Sequence, residues 1–180
     1  MKQCNKVIKW KEQLQTEFNS LLDQLEEFET KREKVWQHYK VSSSYQKEFH
    51  YVCEQIRGIT KQLEHLEPYL QDQFYMSQFV GSDVNAFEVV EICTPNKFKV
   101  RELKATLTEQ AKEDLKNSFV PGGFFGHTDN SQQEWVFEPD ESNPIIEVRR
   151  HKNGNYYQAG ERTCPFVAVK EPYKFYDYNF

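Results

Sequence analysis

From Tyr45 onward the apolar residues Tyr45, Phe49, Val52, Ile56, Ile59, Leu63, Leu66 and Leu70 follow one another in alternating steps of four and three. An average of 3.5 residues per step keeps every member on one side of an α-helix, and no strand or loop accommodates such a series. The preceding segment carries a matching seam. Val7, Leu14, Leu21, Phe28 and Val35 recur every seven residues, and Phe18 and Leu25 fill the face between them. Lys11 and Arg32 stand where further apolar residues are expected, whereas Ile8, Trp10 and Leu22 widen the stripe. A wider stripe suits more than one packing partner.

Residues 1–73 hold one glycine and one proline, so little interrupts these helices. The break is Val-Ser-Ser-Ser-Tyr at 41–45, where a serine can cap the second helix and the chain can reverse. At 1.5 Å per residue, each helix is about 40–50 Å long. Two helices of similar length with a short connection fold back as an antiparallel hairpin, each burying the other's stripe; the rival arrangement is a continuous rod that dimerises. Pro68 lacks an N–H and is expected to kink or end the second helix near Glu67, with a restart over 69–79.

Beyond Gly81 the period shortens. Residues 86–93 and 98–103 alternate apolar and charged side chains as strands do, and 108–117 reads as a short helix capped by Thr108. The last sixty residues supply strands at 134–138, 145–152, 155–158, 166–170 and 174–178. Asn153-Gly154 predicts a type I′ hairpin turn. The expected fold is therefore α+β: a coiled-coil helical hairpin over 1–80, then an aromatic-rich module over 81–180 with a small, mostly antiparallel sheet and one short helix.

Composition narrows the function classes. The chain of 180 residues has 23 basic and 28 acidic side chains, a net charge of −5, and neither half has a basic excess, which disfavours general binding to DNA or RNA. Fourteen Phe, ten Tyr and three Trp supply more apolar surface than a disordered chain carries. The sequence has no apolar run of membrane-spanning length and does not open on a secretory signal, and its four cysteines form no CxxC pair. A cytoplasmic protein with reduced thiols is expected.

Three places could carry chemistry or recognition. The glycine-rich loop at 120–130 runs through Phe124 and Phe125 into His127 and Asp129; stacking on a ring and acid–base or polar contacts are the functional reading, core anchoring the structural one. Its spacing fits no phosphate loop, and His127, Asp129, His151 and Cys164 match no zinc module. Arg149, Arg150, His151 and Lys152 form a basic cluster, either a seat for a phosphate or a small acidic ligand, or a charged edge strand. The C-terminal run with Tyr173, Phe175, Tyr176, Tyr178 and Phe180 is either a final strand or an interaction tail.

From these features the expected function is that of a non-enzymatic interaction protein of the inhibitor, immunity or adaptor type. It would self-associate or clasp a protein partner through its helices and make specific contacts through the second module, with no cofactor and no metal. The alternative is a nucleotide- or small-ligand-binding module using the Gly/Phe loop and the basic hairpin. A hydrolase or transferase built on His127 and Asp129 is a third possibility.

Overall fold

The structure, a computed structural model, describes residues 5–39, 42–120 and 127–179. It divides into two compact units, Met1–Asp72 and Gln73–Phe180, so the first strand of the second unit lies ahead of residue 81.

In the first unit, α1 (Asn5–Trp36) and α2 (Ser43–Leu70) pack against each other. Trp10 meets Tyr69 edge-on at 5.6 Å, and Lys31 pairs with Glu48 at 3.1 Å, so the helices run antiparallel within one chain. The seam is the one expected: Val7, Leu14, Leu21 and Val35 are buried against Val52, Ile59, Leu63 and Leu66. Lys11, the polar intruder, turns its position to use. Its Nζ donates to the Gln71 carbonyl at 2.8 Å, a cation on the last carbonyls of α2, where the helix dipole favours it. Ser42 takes the N-cap position of α2 with extended backbone but makes no side-chain cap bond.

Pro68 sits buried in the last turn of α2, which ends at Leu70 with the Gln71 N–H bonded to the Pro68 carbonyl. The expected helical restart over 69–79 does not occur. Tyr75–Val80 is instead strand β1, because it pairs with β2 across the tight turn at Gly81 on one side and with the distant Phe166–Val169 on the other, and these ladders outweigh local helical spacing.

The second unit is built on a closed six-stranded antiparallel barrel. Its strands are β1, β2 (Asp83–Thr94), β3 (Lys97–Glu102), β8 (Ile145–Arg150), β9 (Tyr156–Gln158) and β10 (Phe166–Val169). They are joined in the order β1-β10-β9-β8-β3-β2, and β2 pairs with β1 to close the ring. Two register shifts in β2, at Val89/Glu91 and Ile92/Thr94, bend this twelve-residue strand as closure requires. The interior is filled. Met76 lies opposite Phe87 and Ala168, Phe98 opposite Val148, and the Phe87–Phe166 and Phe98–Tyr156 rings meet at 5.1 and 4.9 Å. Charged pairs alternate onto the outside, among them Glu88–Arg101 and Glu91–Lys99.

The β8–β9 pairing is as expected, but its turn is not type I′. Gly154 alone has positive φ, at 88°; the Gly154 N–H bonds to the His151 carbonyl and the His151 N–H to the Asn155 carbonyl. This is a three-residue loop ending in a left-handed glycine, so the Asn-Gly pair sits one place later in the turn than a two-residue hairpin requires.

Outside the barrel, β4 (Lys104–Leu107) pairs with β7 (Trp135–Glu138), and β5 (Phe119–Val120) with β6 (His127–Thr128). Between them lies α3 (Glu109–Asn117), capped as expected by the Thr108 hydroxyl, which accepts the Ala111 N–H. The expected strand at 174–178 reduces to a single bridge, Val84↔Phe175, made on the short stretch of β2 that lies ahead of its pairing with β3 at Phe87.

Candidate functional site

The first expected ligand site is split. Phe124 and Phe125 lie outside the described residues. The backbone of His127 pairs with Val120, and the Asp129 carboxylate accepts the Ser131 N–H at 2.9 Å to cap a 3-10 turn, Asn130–Gln132. That segment is tied through the C-terminal residues to Asp83, at the start of β2. Arg149 lies across from Lys97, next to the end of β2 at Thr94. The structure thus does not bring His127 and Asp129 together with Arg149, Arg150 and His151; they lie toward opposite ends of β2.

Within the basic cluster, each guanidinium has internal work. Arg149 donates through Nε and Nη2 to Glu147, and Glu147 also receives Lys97 at 2.9 Å. Arg150 Nε donates to the Gly154 carbonyl at 3.3 Å, and the His151 ring packs on Tyr157 at 4.9 Å. The Lys97 and Arg149 donors hold the Glu147 carboxyl below its ordinary 4.5, and the Lys99 ammonium does the same for Glu91. A carboxyl whose folded pKa is depressed contributes its full stability above the ordinary value and loses it as the pH falls through the lowered one. The melting temperature is therefore expected to fall on acidification below about pH 4.5, and Glu147→Gln is expected to flatten that acid limb, read by thermal melts from pH 7 to 3. An acid limb unchanged by the substitution would remove this ion-pair set from the account.

Burial, with the Glu91 carboxylate beside it, pushes the Cys93 thiol up, which disfavours the thiolate. Among the described residues no group of three or more His, Cys, Asp or Glu side chains is placed to hold a metal ion. Among the described residues no helix is long and apolar enough to cross a membrane.

The C-terminal residues are bound down by amide side chains. Gln133 donates from Nε2 to the Tyr176 carbonyl at 2.6 Å and accepts the Tyr176 N–H at 2.9 Å. Asn179 brackets the backbone of Thr128 in the same way, accepting its N–H at 2.7 Å and donating from Nδ2 to its carbonyl at 3.0 Å. Asn130 donates to Asp177 and accepts the Tyr178 N–H, while the Asp83 carboxylate accepts the Asp177 N–H. Such brackets reproduce a strand ladder with side chains, and they hold Tyr176 and Tyr178 facing solvent, 43% and 40% exposed, with Tyr173 ahead of them 52% exposed. The Tyr176 and Tyr178 rings meet edge-on at 4.9 Å, and Lys174 lies over the Trp135 ring at 5.6 Å. Phe175 is half-buried at its bridge to Val84; Phe180 lies outside the described residues.

The helical hairpin has two unlike flanks. Trp10 and Lys31 close one of them against Tyr69 and Glu48. On the other, Ile8, Leu22 and Trp36 are 41%, 44% and 56% exposed, and Arg32, Glu33, Trp36, Phe49 and Cys53 line an open groove of about 400 Å³. Trp36 and the amide brackets were not singled out by sequence reasoning. The spacing of fourteen from Ile8 to Leu22 to Trp36 was the available signal for the first; the brackets, made between residues over 40 positions apart, have none. No protein-family model, no curated protein and no solved structure matches this chain.

Proposed function

We propose that this chain is a non-enzymatic protein-interaction protein, of the inhibitor, immunity or adaptor type. It engages its partner, another protein or a second copy of itself, through the open flank of the helical hairpin, and adds specificity through the aromatic C-terminal face. One observation carries the reading: large apolar side chains are exposed in groups, Ile8, Leu22 and Trp36 on one flank of a helix, and Tyr176 and Tyr178 on bracketed backbone with Tyr173 three residues ahead of them. Scattered exposed apolar residues need no explanation, but aligned ones on a rigid support suit an interface, where Trp and Tyr are enriched as anchors. Free Cys53, Cys93 and Cys164 suit a reducing compartment such as the cytoplasm.

The test places a photo-cross-linking amino acid at Trp36, at Tyr176 and, as control, at exposed Lys34, in the full chain within its native extract. Discrete adducts from the first two positions and none from the control are expected. An adduct of twice 21.6 kDa marks self-association, and any other discrete mass a different protein. Identical smears from all three positions would defeat the proposal.

A further inference from the structure

Ile8, Leu22 and Trp36 each directly follow a buried seam residue, Val7, Leu21 and Val35, so all three stand on the same flank of α1. Trp36 shares its groove with Phe49 and Cys53 of α2, so that groove opens between the two helices. Seam residues beside the flank, Phe18, Leu25 and Phe28, remain only half-buried. A two-helix pair cannot enclose its own seam, and the shape left open is the seat of a third helix.

The charge around the seat identifies what kind of helix fits. Glu12, Glu26 and Glu33 lie one turn beyond Ile8, Leu22 and Glu29 on this side of α1, and all four of these glutamates are exposed. On α2 the exposed cation nearest this flank, Arg57, is already paired with Glu54 within its own helix. The groove's own lining adds a single cation, Arg32, so a second copy would set four carboxylates against four with one guanidinium on each side. We propose that the flank receives a basic amphipathic helix of a partner protein, its apolar face on Ile8, Leu22 and Trp36 and its Lys or Arg side chains against the glutamates. This rests on the interaction reading above and narrows it to one partner chemistry. Ile8 and Trp36 lie 28 positions apart on α1, so the incoming helix is about 28 residues, or about 42 Å, long.

The test titrates the full chain with three labelled synthetic peptides of about 28 residues, read by fluorescence anisotropy. One has Leu at helical i, i+3, i+4, i+7 spacing with Lys elsewhere; the second has the same composition scrambled; the third keeps the Leu stripe with Glu in place of Lys. The first is expected to bind one to one, and the other two at least about ten-fold more weakly. Leu22→Glu and Trp36→Glu, both at exposed sites and checked for retained helicity by circular dichroism, are each expected to weaken the first peptide at least about ten-fold. Lys34→Ala, at the exposed position that serves as control above, is expected to leave it unchanged. Equal binding of the scrambled peptide, indifference to both flank variants, or no binding at all overturns the inference. So does a dimer in light scattering that Leu22→Glu makes monomeric, which would assign the flank to a second copy. If the basic peptide fails while Trp36 still cross-links a discrete protein, the interaction function stands and only the basic helix falls; if both fail, both are wrong.

Discussion

Phe98→Ala is expected to destabilise the second unit by about 3–5 kcal/mol, the usual cost of truncating a fully buried aromatic. Phe98, the second residue of β3, is 0% exposed, opposite Val148 on one side and Ile92 on the other. Its ring stacks on Tyr156 at 4.9 Å and meets Phe74 edge-on at 5.5 Å, so alanine leaves two rings without a face to pack on. Against a total stability of about 5–15 kcal/mol for a domain, this is a large fraction, and a fall in melting temperature of more than about 10 °C follows. Near-UV circular dichroism during a thermal melt reads it directly. Lys99→Ala, one residue along the strand and turned outward to Glu91, is the control and is expected to leave the transition where it was. Equal shifts from the two variants would mean that the barrel interior is not where these pairings put it.

What the sequence made legible follows from the range of the interactions involved. The seam from Val7 to Leu70 was readable because a helix repeats its burial every few residues, and Thr108 because a cap acts on an N–H three positions on. The alternation in β2, β3 and β8 was readable for the same reason. Closure of the barrel was not: it depends on Tyr75 lying opposite Val169, more than ninety positions away, and β1 itself was mistaken for a continuing helix. Asn153-Gly154 announced the hairpin but not its loop length, since one left-handed residue satisfies either turn class in part. Among candidate site residues, the sequence pointed to Arg149 and Arg150 by charge. Their partners, Glu147 and the Gly154 carbonyl, became visible only in the folded strands.

The C-terminal residues show the same limit, with a measurable consequence. Deleting residues 173–180 is expected to destabilise the second unit on the order of 5 kcal/mol. It removes both Gln133 bonds to Tyr176, both Asn179 bonds to Thr128, the paired backbone bonds between Val84 and Phe175, and the Asp83–Asp177 contact, each worth about 0.5–1.5 kcal/mol net. Gln133→Ala tests the bracket without shortening the chain: two bonds are lost, the Tyr176 N–H and carbonyl return to water, and a cost of about 1–3 kcal/mol is expected. Amide exchange separates the local effect from a global one. In Gln133→Ala the N–H groups of Tyr176, Asp177 and Tyr178 should exchange faster, while those of β3 and β8 keep their protection. Tyr176→Ser leaves the bracket intact, because Gln133 holds the backbone of that residue rather than its ring, and should cost far less. If Tyr176→Ser proved as damaging as Gln133→Ala, the aromatic row would be holding the fold together instead of standing free of it, and the case for a recognition face at Tyr173, Tyr176 and Tyr178 would fail.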